Sequence, residues 1–348
     1  MELANATPLA ARAWTFDPGL GDGRREGFVV AKASFAYTPD GAVSLDTQSP
    51  SPLFIEDQPT PWGLIPRDDL PRGDDGFEVI FLGAAHAPHG RPVTELTVSL
   101  SVGEVSRALA VIGHRVATDD VISAPAPFTT MPLGWESAFG GACEVLLDRD
   151  APVFLCDPRN PAGKGFDPRP QARALAAQLR CPEGYPVLSH EPRALPNVEH
   201  PARRISRADD APEPVSWATL PLTRPAHAAR ALDLDATSRA GLPVASARAF
   251  HRAVDEWIIT PPPEGATVAL RNLDPAGGVR FALPALRVAC DFLVGESATS
   301  VELLPEALVL MGAWRRFTLR YRARFHYWER EGEAASARLW TRAMGANR

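Results

Sequence analysis

The sequence predicts a mainly β protein in which antiparallel sheets form a sandwich or a barrel-like arrangement, with long ordered loops and a few short helices. Three observations favour this fold class. Apolar and polar residues alternate with a period of two in several segments near both ends of the chain. The 35 prolines keep helices short and favour turns. Helical patterns are too few and too irregularly spaced for repeated βαβ units.

Two N-terminal segments have the clearest strand pattern. In residues 28–37 (FVVAKASFAY), apolar side chains alternate with Lys32 and Ser34, which places Lys32 opposite the main core face. Residues 93–112 contain two alternating runs separated by Gly103 and Glu104. Because glycine tolerates the positive φ at the first position of a type II′ turn, these residues are predicted to form an antiparallel hairpin.

The middle of the chain has a different character. Between residues 129 and 201, glycine, proline, asparagine and aromatic residues recur without a period, which indicates long ordered loops over the sheets. One helix is predicted at residues 170–179, with proline in its first turn, and a second at residues 245–257. Strand patterns return in the last hundred residues. We expect one domain over residues 1–348, with two β-rich halves as the alternative. Its three regions are an N-terminal sheet region (1–126), a loop-rich middle (127–243), and a helix with a C-terminal sheet region (244–348).

Charge and composition argue against several classes of protein. A net charge of -6 gives no overall attraction to phosphate backbones, so no nucleic-acid partner is expected. The first residues lack the basic start and apolar stretch of a signal peptide, and no segment is apolar for the length of a membrane span. A cytoplasmic protein without membrane contact is therefore expected. The four cysteines show neither paired metal-ligand spacing nor the density of a disulfide scaffold.

The glycine-flanked lysine in NPAGKGF (160–166) invites comparison with nucleotide-binding loops. Those loops need a glycine six positions before the lysine and Ser or Thr after it, where this chain has Pro158 and Gly165. We interpret the segment as a tight loop whose Lys164 contacts carbonyls or a carboxylate. No GxSxG nucleophile elbow occurs, and no further ligands accompany the histidines of HAPHG. Neither enzymatic activity nor a cofactor is expected. A hydrolase-like enzyme with an unrecognised site and a carbohydrate-binding β module stay open as alternatives.

The predicted strand at residues 316–327 has one apolar and one basic face. Its first face carries aromatic and aliphatic residues, and its second carries Arg316, Arg320, Arg322 and Arg324. The first interpretation is a solvated outer face, on which arginines discourage association between sheet edges. The second is a docking surface for an acidic partner.

Six strings follow one another along the chain: NATP (5–8), VVAKASF (29–35), PFTTMPLGWESAFGG (127–141), NPAGKGF (160–166), LPNVEHP (195–201) and GVRFALP (278–284). Taken together and in this order, they resemble a family of domains of unknown function encoded beside type VI secretion spikes and effectors. The resemblance implies an adaptor or chaperone that holds a toxic effector in the cytoplasm and helps to load it onto the spike tip. The expected partners are therefore an effector and a spike-tip protein.

The sequence departs from the family pattern in two places. A GTYD-like segment expected between residues 202 and 243 is missing, and DEW occurs at residues 255–257 where the family tends to carry DQ. The divergent segment would set partner specificity or would reflect drift in a surface loop. The aromatics of the motif loops would bury area in a partner or pin their own loops to the sheets, and packing is preferred for Phe139. The residues singled out for partner binding, or as members of the motif loops, are Lys32, Trp135, Phe139, Gly140, Gly141, Asn160, Gly163, Lys164, Gly165, Phe166, Asn197 and Glu199.

Overall fold

The computed structural model describes residues 1–16, 24–70, 76–118, 121–148, 151–187, 191–221, 250–295, 297–328 and 335–343. Within these residues the chain is mainly β, with one α-helix and four single-turn 3₁₀ helices. The predicted fold class is confirmed.

The strands of the described residues are numbered in chain order. The first thirteen are β1 (Glu2–Asn5), β2 (Ala10–Phe16), β3 (Arg24–Tyr37), β4 (Val43–Leu45), β5 (Gln58–Thr60), β6 (Gly63–Ile65), β7 (Phe77–Leu82), β8 (Ala84–His86), β9 (Glu95–Val102), β10 (Val105–Ile112), β11 (Val116–Thr118), β12 (Val121–Ile122) and β13 (Thr130–Pro132). The others are β14 (Phe139–Gly140), β15 (Ala142–Asp148), β16 (Ala151–Cys156), β17 (Lys164–Gly165), β18 (Arg193–Ala194), β19 (Val198–Glu199), β20 (Ile258–Ile259), β21 (Thr267–Arg271), β22 (Gly278–Ala282), β23 (Leu286–Val294), β24 (Ser297–Met311), β25 (Arg316–Trp328) and β26 (Ala335–Ala343).

The largest sheet joins the two ends of the chain and is nearly closed into a barrel. Its strand order is β1-β26-β23-β24-β25-β3-β2, and β25 pairs along its whole length with β3. β7 also joins this sheet, parallel to the second half of β24. The pairing of β25 with β3 joins the two ends of the chain, and both strands contribute buried apolar residues to the core.

A second sheet has the order β19-β10-β9-β21-β22 and contains the predicted hairpin. β9 and β10 pair from Val102 and Val105 outward. Gly103 has a φ of 57° and the following residue has no positive φ, as a type II′ turn requires. The inward residues of β9 are buried, so its alternation correctly predicted the core face.

One hydrophobic core lies between the two sheets and includes residues from Leu9 to Leu339. A row of stacked aromatic rings crosses it. Phe35 and Phe317 stack at 5.0 Å between ring centroids, Phe317 and Phe281 at 5.1 Å, and Phe281 and Tyr37 at 4.9 Å. Because these rings come from β3, β25 and β22, their contacts fix the packing of the second sheet on the first.

A smaller unit is built from the β15–β16 hairpin and the helix α1 (Arg169–Leu179). The helix confirms the prediction for residues 170–179, with proline at its start and a left-handed Arg180 at its end. Its buried Ala172 and Ala176 pack on Val145 and Leu147 of the hairpin. The hairpin thus has one covered face and one face turned away from the helix.

The second predicted helix is wrong for the part that the structure describes. Residues 245–249 lie outside the described residues, and residues 250–257 contain only a 3₁₀ turn at Asp255–Trp257. Tertiary contacts override the local pattern here, because Trp257 is buried edge-on against Trp217, with ring centroids 5.9 Å apart. The divergent DEW string therefore contributes its tryptophan to the core.

Candidate functional site

Three of the segments that carry the family resemblance meet at one place, which we call the motif junction (residues 135–141, 160–166 and 195–199). β14 and β17 pair in parallel, with Phe139 opposite Lys164 and Gly140 opposite Gly165. The third segment joins them through the Asn197 N–H, which donates to the Ser137 carbonyl at 2.8 Å. Segments that are far apart in the sequence therefore form one structural unit.

Asn160 connects two of these segments. Its side chain is fully buried, and Nδ2 donates to the Trp135 and Phe139 carbonyls, at 2.8 Å each. Its own carbonyl accepts the Gly141 N–H at 2.8 Å and the Gly163 N–H at 3.1 Å. A buried amide with satisfied partners specifies one arrangement of its surroundings, so Asn160 fixes the relative position of the loops.

Lys164 is half-buried, and its Nζ donates to the Asn197 Oδ1 at 3.0 Å. The sequence predicted that Lys164 contacts carbonyls or a carboxylate, and its partner is the amide carbonyl oxygen of Asn197. Asn197 is itself fully buried and donates from Nδ2 to the Ile112 carbonyl at 3.0 Å. Burial lowers the pKa of Lys164, and the nearby carboxylate of Glu136 partly opposes this effect. The lysine thus links the glycine loop to the LPNVEHP segment and, through Asn197, to β10.

The glycines of the junction are required either by a backbone conformation with positive φ or by the close approach of neighbouring atoms. Gly140, Gly141 and Gly165 have φ values of 135°, 124° and 99°. A Cβ on Gly163 would lie 2.5 Å from the Asn160 Nδ2 and 2.6 Å from the Ala138 carbonyl oxygen. The N–H groups of Gly141, Gly163 and Lys164 all donate to main-chain carbonyls. These donors are therefore engaged within the protein, unlike the amides that cradle phosphates in a nucleotide loop.

The three aromatic residues singled out in the motif loops differ in accessibility. Trp135 is buried, and its Nε1 donates to the Thr219 carbonyl at 3.0 Å. Phe139 is buried in a small cluster, with the Arg159 guanidinium 5.5 Å from its ring centroid. Both side chains hold their own loops in place and are not available for direct contact with a partner. Phe166 is half-buried at the surface.

Glu199 forms a buried ion pair that sequence patterns did not reveal. Its Oε1 accepts a hydrogen bond from Arg115, and its Oε2 accepts the Ile205 N–H at 3.0 Å. Burial raises the pKa of Glu199, and the positive charge of Arg115 opposes this shift. Arg115 lies 84 residues away in the sequence, so no local signal could have identified it as the partner.

Two adjoining clefts open beside the motif junction. The first, of about 400 Å³, is lined by Gly140, Gly141, Lys164 and Arg169, among others. The second, of about 340 Å³, includes Asp209 and Asp210. Phe166, Asp167 and Arg193 line both clefts. Burial alone would raise the pKa of Asp167, but hydrogen bonds and positive charge from Arg169 and Arg193 outweigh burial and lower it. The clefts therefore present both signs of charge around one accessible aromatic ring.

The prediction that the basic face of residues 316–327 is a solvated outer face is wrong for its central part, and the same burial leaves Arg320 and Arg322 unavailable for direct contact with an acidic partner. Arg320 and Arg322 are only 3% and 7% exposed. Together with Lys32, Asp68, Glu78 and Glu306 they form what we call the buried charge cluster. The segment between β6 and β7, together with β7 and β24, supplies the covering carboxylates, so this face of β25 packs against protein rather than water. Among the four arginines, Arg324 is exposed, and Arg316 is half-exposed beside Asp46, at 3.2 Å.

Lys32 is buried in the same cluster. Its Nζ lies 2.5 Å from the Asp68 Oδ2, donates to the Pro52 carbonyl at 2.7 Å and stands 4.6 Å from the Phe54 ring centroid. Burial lowers the pKa of Lys32, and Asp68 opposes that shift. Lys32 does lie opposite the main core face, as its strand parity predicts, but a second layer covers it. It is not available for direct contact with a partner.

In the described part of the chain, no group of three or more His, Cys, Asp and Glu side chains is arranged to hold a metal ion. No helix among the described residues is long and apolar enough to cross a membrane.

The fold and the motif junction define a mainly β domain whose motif segments interlock in one set of loops. The chain belongs to a family described as uncharacterized protein conserved in bacteria (DUF2169), and the family model matches residues 22–322. The match includes the whole motif junction and every member of the buried charge cluster. No curated protein and no solved structure matches the chain.

Proposed function

We propose that this protein is a cytoplasmic adaptor or chaperone, without catalytic activity or cofactor, that binds a toxic effector and helps to load it onto a type VI secretion spike. One observation carries the proposal. Three of the six segments that resemble the adaptor family meet in a single junction, and their polar groups bond to one another and to β10. A binding scaffold uses motif residues in this way, since its task is to hold loops in a fixed shape.

The same observation makes a catalytic role for these residues less favourable. A general base or nucleophile must reach a substrate with its reactive atom. Asn160, Asn197 and Glu199 are fully or almost fully buried, and their polar atoms face other protein groups. Lys164 is more accessible, but its amine bonds to Asn197. Rigid loops beside open clefts are instead suited to binding a protein with little loss of conformational entropy.

The clefts favour a protein partner over a polyanion. Arg169 and Arg193 stand beside Asp167 and Glu191 in the larger cleft, so a partner that offers both charge signs would be complementary. The chain as a whole carries a net charge of -6, which would repel a nucleic acid. An effector and a spike-tip protein are therefore the partners that we propose.

The test is deletion of the gene in the bacterium that encodes it, followed by measurement of effector delivery. We expect one effector to disappear from the secreted fraction while other substrates of the same secretion system are delivered normally. Expression of the intact chain should restore delivery. Unchanged delivery of every effector would refute the proposed function.

A further inference from the structure

The outward face of the β15–β16 hairpin is exposed and apolar. Leu146 is 36% exposed, Phe154 is 70% exposed and Val187, which bridges to Leu146, is 52% exposed. The opposite face of the hairpin packs on α1 and belongs to the fold. Large apolar side chains that adjoin one another on a surface mark interaction sites more often than isolated ones do.

The register arranges these side chains in two rows across the hairpin. One row contains Glu144 and Phe154, and the next contains Val187, Leu146 and Pro152. Residues that are directly opposite on antiparallel strands point to the same face and lie in contact. The outward face therefore has one row with an acidic end and one row that is wholly apolar.

β16 also has a free edge. Within the described residues it pairs only with β15. Its sequence, APVFLC, contains no charged residue, although charges are a common means by which proteins protect exposed strand edges. Pro152 removes one backbone donor from this edge, as prolines on edge strands do. Because main-chain groups alternate between the two sides of a strand, Phe154 and Cys156 are the following residues whose N–H and C=O groups face the edge. An edge of unpaired N–H and C=O groups beside apolar side chains fits one kind of occupant, namely an extended peptide segment.

Charge complementarity specifies that segment further. Adjacent strands lie about 4.8 Å apart, so a residue added opposite Phe154 would stand about 10 Å from Glu144. An arginine or lysine at that position can lay its aliphatic stem on the Phe154 ring and place its charge near the Glu144 carboxylate. In the neighbouring row, two residues away along the segment, an apolar side chain would cover Pro152.

We propose that the free edge of β16 binds an extended segment of the effector as a third strand. The segment carries an arginine or lysine opposite Phe154 and an apolar residue two positions away, opposite Pro152. This inference rests on the proposed function and identifies the surface through which it acts. The hairpin begins immediately after Gly141, and its end is tied back by the Asp157 N–H, which donates to the Gly141 carbonyl at 2.9 Å. The proposed edge is therefore held in place by the motif junction.

The first experiment compares Phe154→Asp with Leu304→Asp. Leu304 is 68% exposed and lies on β24, outside the hairpin, so it is a matched control. The probe is the effector whose delivery is lost in the deletion strain. We expect Phe154→Asp to weaken capture of this effector about tenfold or more. Leu304→Asp should capture it normally, and both variants should keep the unfolding midpoint of the wild type. Normal capture by a folded Phe154→Asp variant would overturn the inference.

The second experiment identifies the occupant. A photo-cross-linking phenylalanine analogue at position 154 should link to an extended effector segment with the stated pattern. Glu144→Arg should weaken capture, and replacing the linked segment's basic residue by glutamate should restore it, which a merely structural role of Glu144 would not allow. A cross-link only to a second copy of this chain would overturn the inference in favour of self-association.

The two proposals fail in different ways. If deletion of the gene leaves delivery unchanged, the proposed function fails and the inference fails with it. If deletion stops delivery but the Phe154→Asp chain still restores it, only the inference about the hairpin fails.

Discussion

The charged side chains on β3 and β25 lie on the side of each strand that the alternation predicts, but other parts of the chain bury several of them. The alternation of β25 correctly separates apolar from basic positions. It does not reveal that Asp68, Glu78 and Glu306 approach the basic side. Asp68 and Glu78 lie more than 240 residues away from Arg320, so no local pattern could predict the ion pairs. Burial of charge is costly unless opposite charges and hydrogen bonds compensate it, and each arginine of this cluster has such partners.

Arg320→Met should therefore destabilise the protein strongly. The substitution leaves Asp68, Glu78 and Glu306 with one cation fewer in a buried site, and we expect a loss of about 3 to 5 kcal/mol in the free energy of unfolding. Arg324→Met, four residues along the same strand and exposed, should change it by less than about 0.5 kcal/mol. Urea denaturation followed by circular dichroism measures both. Equal effects of the two substitutions would mean that the cluster contributes nothing specific.

At the scale of elements, the sequence correctly predicted the features that depend on a few neighbouring residues. The hairpin at Gly103 follows from a glycine between two alternating runs, and α1 follows from a proline followed by alanines. The helix predicted up to Trp257 is wrong for residues 250–257 because the buried contact with Trp217 decides the backbone there. The motif junction was predicted only in part. The sequence indicated glycine loops, but it did not indicate that Asn160 and Asn197 hold three segments together.

Gly163→Ala tests whether the junction is rigidly packed. The added methyl group would approach backbone oxygens of residues 138 and 139 within 2.7 Å, and backbone cannot move aside as a flexible side chain can. We expect a loss of about 1 to 3 kcal/mol in the free energy of unfolding. Gly278→Ala is the control, because its nearest neighbour to the added Cβ is 3.8 Å away. Thermal denaturation of both variants measures the loss of stability. A Gly163→Ala midpoint equal to that of the wild type would contradict close packing at the junction.

At the scale of the whole molecule, strands from the beginning and end of the chain pair with one another within one sheet. β3 lies next to β25, and β7 lies parallel to β24. In the second sheet β9 is between β10 and β21, which are separated by more than 150 residues. Contacts of such long sequence separation cannot be derived from periodicity, which gives the face of a strand but not its neighbour. They imply that the N-terminal region shares its core with the C-terminal one.

Residues 1–126 expressed alone should therefore fail to form the native sheets. The fragment would leave β3 without β25, β7 without β24 and β9 without β21, exposing both strand edges and the apolar faces that now form the core. We expect aggregation, or a soluble chain without dispersed amide resonances. Co-expression with residues 127–348 should recover a folded complex, because the missing strands are then supplied in trans. The intact chain should unfold in one transition, with tryptophan fluorescence and circular dichroism coinciding in urea. A 1–126 fragment with dispersed resonances and its own cooperative unfolding would instead show that the N-terminal sheet region is an independent folding unit.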